Sequence, residues 1–131
     1  MRVLRCFLVA ALLTPPIYAQ ATEKQPNCES PEMGSELIAC AAARHKAADA
    51  KLNTAYKQLR NALRKQGESL LEERLVIAQR DWLKFQKSHC DLEATYEGAG
   101  GSFASAKFGD CMAETTSERA KYLEELLSYF K

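Results

Sequence analysis

Four cysteines carry the chemistry that is most readily assigned from this sequence: Cys28, Cys40, Cys90 and Cys111. A fifth, Cys6, lies in an N-terminal segment that is expected to be removed. Thiols of a small exported domain are usually oxidised, so an even number of cysteines predicts two disulfide bonds. Four cysteines allow three pairings, and their number does not choose among them.

Metal binding is the alternative chemistry for these residues, because His45 and His89 accompany the cysteines. The sequence contains neither the CxxC nor the HxxxH spacing that is typical of a structural zinc site. His89 lies on an apolar helical stripe, where a histidine is usually part of the core. We therefore expect no metal and no cofactor.

Enzyme catalysis finds little support in the sequence. It lacks GxSxG, HExxH and Walker-type glycine motifs, and no close pair of inward carboxylates is predicted. Arg119 is the only cationic residue on a predicted interior stripe. The sequence therefore predicts a protein that is not an enzyme.

A set of polar residues is predicted to meet across the fold instead. Its members are Asp49, Asn53, Tyr56, Gln79, Trp82, Thr115 and Arg119. The favoured interpretation is a buried hydrogen-bonded network with an Asp49–Arg119 pair, because a buried charge persists only when it has a partner. The alternatives are a carboxylate and a guanidinium poised for chemistry, and simple surface exposure. Arg80 is expected to be solvated.

Residues 1–21 are predicted to be a secretory signal peptide. Arg2 and Arg5 precede a short apolar run, and small residues at positions 19 and 21 match a cleavage site after either one. Pro15 and Pro16 cut the apolar run below the length that spans a bilayer, which disfavours a membrane anchor. Residues 22–131 are then one mature domain, in the periplasm or outside the cell.

Length and charge limit the remaining possibilities. A chain of 131 residues has room for one small domain. Its 18 Lys and Arg against 17 Asp and Glu give a net charge of +1, whereas nucleic-acid binding needs clustered cations that neutralise several phosphates. A nucleic-acid partner is therefore not expected.

Three helices are predicted to position these residues. Apolar residues recur at helical spacing between Ser35 and Gln66, Gly67 ends that helix, and Ser69 to Glu72 match a capping box that starts the next. The stripe of the first helix is Leu37, Ala41, Ala48, Leu52, Ala55, Leu59 and Ala62 or Leu63. No strand pattern occurs, so the predicted fold is an all-α antiparallel three-helix bundle.

The second and third helices are predicted to bury apolar stripes of their own. The second stripe is Leu71, Leu75, Ala78, Trp82, Phe85, His89, Leu92 and Tyr96. Its rings are interpreted as core because such side chains are usually buried. A third helix is expected from about Ser105 to the end, with the stripe Phe108, Met112, Thr115, Arg119, Tyr122, Leu126 and Tyr129.

This helix map favours one disulfide pairing. Cys90 precedes the glycine-rich segment before the third helix and Cys111 follows it, so antiparallel packing brings the two to similar heights. Cys28 is then left to pair with Cys40. A swapped pairing stays open, because all four cysteines are predicted to lie at the same end of the bundle.

Motifs spread over the chain resemble the LprI-like lysozyme inhibitor family. They are Cys40; Ala48-Asp49 with Leu52-Asn53 and Tyr56; Ala78-Gln79-Arg80 and Trp82; Cys90; Gly100-Gly101; and Cys111 with Thr115, Arg119 and Leu123. Two departures are the absence of a lipid-attachment motif and Lys87-Ser88 where an Arg-Asp pair is frequent. The resemblance implies a secreted helical binding protein that inhibits lysozyme or a related peptidoglycan hydrolase. An immunity or envelope-stress protein and a structural envelope factor are the alternatives.

The predicted contact with such a partner is the glycine-rich segment between the second and third helices. A plain interhelical turn is the alternative interpretation. The candidate residues are Gly98, Gly100, Gly101, Ser102, Phe103 and Lys107. A disulfide beside this segment would reduce the entropy lost on binding, and a lysozyme cleft carries an acidic pair that suits donors such as Lys107.

Overall fold

The structure of the protein is a computed structural model that describes residues 26–31, 34–96 and 100–130. The proposed signal peptide and Gly98 lie outside the described residues. Three helices form the bundle: α1 (Gly34–Lys65), α2 (Ser69–Tyr96) and α3 (Gly101–Ser128). The described ranges contain no strand, which confirms the predicted all-α fold. Consecutive helices run antiparallel, so α1 and α3 are parallel neighbours.

Helix α1 has the predicted bounds to within one residue and buries the predicted stripe except for Leu37, which is half-buried. Its buried side chains are Cys40, Ala41, Ala48, Leu52, Ala55, Leu59 and Leu63. The main core cluster combines leucines of α1 with Leu75 of α2 and with Leu123 and Leu127 of α3. Apolar burial of this kind is the dominant force that holds a small bundle together.

Small residues let α1 and α3 approach closely. A Cβ atom built on Gly109 of α3 would lie 2.8 Å from the Cβ of Ala41 on α1. That distance is shorter than two carbon atoms tolerate, so the contact requires a glycine at this position. One turn further along α1, Arg44 donates from Nε to Asp110 of α3 over 3.1 Å. These contacts align the amino-terminal halves of both helices.

The turn between α1 and α2 differs from the predicted capping box. Gly67 has a φ of +76°, its amide donates to the carbonyl of Arg64, and the amide of Glu68 donates to the carbonyl of Leu63. This pair of bonds is a Schellman motif, which explains why the helix ends at glycine. The carboxylate of Glu72 does not reach back to the turn. It accepts from Arg60 and Arg64 of α1 instead, and so ties α2 to α1.

Glu72 is expected to make stability depend on acidity. The guanidinium groups of Arg64 and Arg60 lower the pKa of Glu72 below its ordinary value of 4.5. A carboxylate whose pKa is lowered in the folded state stabilises that state at pH values above its ordinary pKa. This contribution is lost as the pH falls through the lowered pKa. Urea titrations of wild type and Glu72→Gln should therefore differ at neutral pH and converge in acid. A gap that does not shrink as the pH is lowered past the ordinary pKa of 4.5 and further into acid would contradict the role of the carboxylate charge.

Both predicted disulfides are present. Cys28 pairs with Cys40, and Cys90 of α2 pairs with Cys111 of α3, with Cα–Cα distances of 5.6 and 5.5 Å. The first bond holds the segment before α1 against the second turn of that helix. The second bond fixes the rotation of α2 about its axis, because the face that carries Cys90 must point towards α3.

That rotation overturns most of the predicted core stripe of α2, of which only Leu75 is buried and Trp82 packs half-buried against the core. The side chains that α2 buries are Leu75, Gln79, Gln86, Cys90 and Ala94. Phe85 lies five residues before Cys90, about 140° away around a helix of 3.6 residues per turn. Phe85, Leu92 and Tyr96 are accordingly 59, 66 and 86% exposed, so these rings and Leu92 are not core.

The stripe that α3 buries also differs from the predicted one. Its buried residues are Ala106, Cys111, Ala113, Thr116, Ala120, Leu123 and Leu127. The larger side chains of the predicted stripe lie beside this row, and Tyr122 and Tyr129 are exposed. Close contact with α1 favours the row of small residues.

Among the described helices, none is apolar over a length that could cross a membrane.

Candidate functional site

A buried polar cluster joins α2 to α3 beside the Cys90–Cys111 disulfide. Gln86 is 1% exposed, and its amide Nε2 lies 2.9 Å from the hydroxyl of Thr115 and 2.6 Å from that of Thr116. The same nitrogen lies 3.1 Å from the carbonyl of Met112. Buried amides and hydroxyls need such partners, because an unpaired polar group costs free energy. This cluster therefore fixes the register of α2 on α3.

Arg119 of α3 lies at the edge of this interface, but its partner is not the predicted one. Asp49 is exposed and accepts from Asn53 on its own helix. Arg119 donates from Nε to the side-chain oxygen of Gln79 over 3.0 Å. The sequence correctly associated Gln79 with Arg119 and wrongly chose Asp49 as the partner of the arginine. Tyr56, another predicted member, packs half-buried at the core and lies beside Arg60.

Aromatic rings flank the guanidinium of Arg119. Its central carbon lies 5.8 Å from the centroid of Trp82 and 5.3 Å from that of Tyr122, both within the range of a cation–π contact. Burial lowers the pKa of Arg119. No described carboxylate lies within ion-pair distance of it, and Gln79 is its only described hydrogen-bond acceptor. The cation is thus partly desolvated without an acidic partner.

The surface around Arg119 is a groove between α2 and α3, here termed the α2–α3 groove. Its volume is about 400 Å³, and it is lined by Trp82, Phe85, His89, Thr115, Glu118, Arg119 and Tyr122. A second hollow of about 260 Å³ continues it towards Leu71 and Phe130, and Arg119 and Tyr122 border both. The apolar stripe that the sequence assigned to the core therefore forms the wall of an open groove.

His89 lies in this groove and is not a core histidine. Its ring stacks on Phe85 with centroids 5.3 Å apart, and its Nε2 lies 3.2 Å from a carboxylate oxygen of Glu93. His89, Glu93 and Cys111 are the only described group of side chains close enough to share a metal ion. The sulfur of Cys111 is bonded to Cys90, which leaves two ligands. This donor set does not fit a metal centre.

The predicted contact segment lies at the far end of the same face. Ser102, Phe103 and Lys107 belong to the first two turns of α3, because the helix begins at Gly101 and not near Ser105. The described part of the predicted loop is therefore reduced to Gly100. Lys107 reaches the ring of Phe103, at 5.8 Å from its centroid.

Lys107 also borders a hollow that connects it to α2. This hollow has a volume of about 420 Å³ and is lined by Leu92, Glu93, Tyr96 and Lys107. Leu92 and Tyr96 are the exposed end of the same apolar stripe that carries Trp82 and Phe85. The predicted contact residue and the α2–α3 groove are thus parts of one surface.

A family model described as lysozyme inhibitor LprI matches residues 27–123 of the chain. This chain belongs to the LprI family. The match includes both disulfides, the buried cluster around Gln86 and all of the α2–α3 groove. The family description supports a role in lysozyme inhibition in general terms.

Two relatives show how far the similarity to this LprI-family chain extends. An uncharacterized protein of Rhizobium meliloti (strain 1021) is 31% identical over 118 residues, which cover 83% of this chain and 84% of the relative. The crystal structure of a DUF1311 family protein from Pseudomonas putida KT2440 is similar, with a TM-score of 0.66 and 30% identity. That similarity covers 74% of this chain and 96% of the other.

Gln86 and Thr116 are the site residues that the sequence interpretation of this LprI-family chain missed. Gln86 lies between Phe85 and Lys87, and a glutamine next to a lysine on a helix resembles a solvated residue. The predicted disulfide is the signal that could have identified Gln86. Once Cys90 faces α3, the residues four and eleven positions before it on α2 must face α3 too. Those residues are Gln86 and Gln79.

Arg119→Ala is expected to destabilise the protein more than Arg80→Ala. The first variant loses one hydrogen bond to Gln79 and the packing on two rings, which together cost about 1–2 kcal/mol. Arg80 is exposed on the same groove-forming helix, and its removal should cost about 0.5 kcal/mol or less. Urea midpoints of the two variants measure the difference. Equal midpoints would show that Arg119 does not contribute to the packing of α2 against α3.

Proposed function

We propose that this protein binds a lysozyme or a related peptidoglycan hydrolase and inhibits it, and that it does so in the periplasm or outside the cell without catalysing a reaction. The family match over residues 27–123 carries this proposal. The two disulfides support an oxidising compartment. A bundle with an open face that carries aromatic side chains and an arginine suits a binding protein, because these residue types are enriched in interfaces.

The contact surface in this proposal includes the amino-terminal end of α3. Gly100, Gly101, Ser102, Phe103 and Lys107 lie there, within two or three turns of the disulfide that braces α3 against α2. A braced helix end loses little conformational entropy on binding. Lys107 supplies positive charge, and the cleft of a lysozyme supplies carboxylates.

Retention on immobilised lysozyme tests the proposed function directly. The mature, oxidised protein should be retained on a c-type lysozyme and should slow the lysis of peptidoglycan by that enzyme. Retention without inhibition would indicate a different contact, and the absence of both would contradict the proposal. An immunity protein against another cell-wall toxin or a structural envelope factor would then be the better explanation.

Lys107→Glu is expected to weaken inhibition about fivefold at low salt. The substitution removes an attractive charge and introduces a repulsive one opposite an acidic cleft, and salt screens both effects. Inhibition constants at low and high ionic strength measure the change, and helical circular dichroism checks the fold. Lys121→Glu, on an exposed position of the same helix, is the control. Equal inhibition by the two variants would place the contact away from Lys107.

A further inference from the structure

The apolar face of α2 is too long for a small ligand. Trp82 and Tyr96 are 14 residues apart on one helix, which corresponds to about 21 Å. The exposed side chains between them include Phe85 and Leu92, and no described element covers them. Specific protein interfaces bury about 800 Å² on each partner, so a face of this length fits a protein better than a metabolite.

The groove at the centre of this face contains the residue types that dominate binding energy in protein interfaces. The guanidinium carbon of Arg119 lies within 6 Å of the ring centroids of Trp82 and Tyr122. Trp, Tyr and Arg are the residues most enriched among those that dominate binding energy. The rings and Gln79 hold the guanidinium in place before any partner arrives. A held side chain loses less entropy on binding than a mobile one.

Arg119 also determines what chemistry the partner must bring. Its Nε is used by Gln79, and no described group accepts a hydrogen bond from its terminal nitrogens. Among the residues that the structure describes, no carboxylate lies within 4 Å of this guanidinium. A guanidinium in such a position, between two rings, is a receptor for an incoming carboxylate, which can accept charge-assisted hydrogen bonds. The opposite charge of an incoming carboxylate offsets the cost of the burial that lowers the pKa of Arg119.

We propose that the α2–α3 groove is the central contact with the inhibited hydrolase, and that a carboxylate of the hydrolase cleft docks on Arg119 between Trp82 and Tyr122. The inference rests on the proposed function and names the site that performs it. The charge complementarity is specific, because a glycosidase cleft of this kind carries two carboxylates that flank the scissile bond. Lys107 then lies at the rim of the contact and Arg119 at its centre.

Substitutions at Arg119 with a matched control test this assignment. Arg119→Met keeps an unbranched apolar side chain and removes the charge. Arg119→Lys keeps the charge and removes the planar guanidinium, and Arg80→Met is the control. Against a c-type lysozyme, we expect inhibition to fall about 30-fold or more for the first, about tenfold for the second and less than twofold for the control. Melting curves establish that each variant is folded.

A double-mutant cycle identifies the partner group. Lysozyme in which the catalytic acid is replaced by its amide should bind wild type more weakly, whereas Arg119→Met should bind both enzymes equally. Phe85→Ser, at an exposed position of the groove, should weaken inhibition about tenfold without a change in fold. The Phe85→Ser variant therefore tests the groove independently if Arg119→Met does not fold.

The outcomes separate this inference from the proposed function. If wild type inhibits and Arg119→Met and Phe85→Ser inhibit equally well, the groove assignment is wrong and the proposed function stands. If wild type neither binds nor inhibits, both are wrong.

A concentration-dependent dimer that Phe85→Ser abolishes would show that a second copy covers the face. A change in the fluorescence of Trp82, the only tryptophan, on addition of soluble peptidoglycan fragments would show a glycan site instead.

Discussion

Removal of the Cys90–Cys111 disulfide is expected to lower the melting temperature by about 12–15 °C. The bond closes a loop of 21 residues, for which the loss of chain entropy in the unfolded state corresponds to about 3 kcal/mol. In a domain of this size, 1 kcal/mol shifts the melting temperature by at least about 4 °C. The effect should be large because α2 meets α3 through a polar cluster and contributes few buried apolar side chains of its own.

Calorimetry of a Cys90→Ser/Cys111→Ser variant measures this effect. The matched control is Cys28→Ser/Cys40→Ser. That bond closes a loop of 12 residues, but its removal also frees the exposed segment before α1 in the folded state, which cancels much of the entropy gained by the unfolded chain. The melting temperature of this variant should therefore shift by less than about 5 °C. Thiol titration of the mature wild-type protein from an oxidising compartment should find no free thiol. Two or more titratable thiols, or bound zinc, would contradict the disulfide assignment.

Gly109→Val is expected to destabilise the protein by about 2–3 kcal/mol. A Cβ atom at this position would lie 2.8 Å from the Cβ of Ala41, so α1 and α3 must separate to accommodate a branched side chain. Overpacking of a tight core contact costs about this much. A free energy of unfolding from urea titration measures the loss.

Two further variants show whether the close approach of the helices is the cause. Gly100→Ala, where nothing lies within 4 Å of the added Cβ and φ is −111°, should leave stability nearly unchanged. Ala41→Gly should recover part of the loss when it is combined with Gly109→Val, because it vacates the space that the new side chain needs. A Gly109→Val protein as stable as wild type would show that α1 and α3 are not in close contact.

The position of the groove links these structural effects to the proposed function. The Cys90–Cys111 disulfide and the cluster around Gln86 hold the polar side of α2 against α3, and the aromatic side is therefore left outside. Loss of the disulfide should consequently weaken inhibition as well as stability. The same constraint explains why α2, whose sequence is strongly amphipathic, leaves most of its apolar stripe exposed.

Much of the fold was determined by the sequence itself. The absence of Pro and Gly between Ser35 and Gln66, the glycine at position 67 and the cysteine spacing predicted α1, the hairpin and both disulfides. These features act locally or through one long-range bond, so they depend little on the rest of the chain. The bounds of α1 and α2 and the apolar stripe of α1 followed from them.

The rotations of α2 and α3 did not follow from the apolar periodicity and were decided by the packing of the helices in the tertiary structure. Periodicity shows that a helix has an apolar side, but it does not show which side the neighbouring helix covers. Here the Cys90–Cys111 disulfide and the close contact of Ala41 with Gly109 fix those rotations. Trp82, Phe85 and Arg119 therefore line a groove, because one covalent bond and one short helix–helix contact outweigh the burial of a few rings.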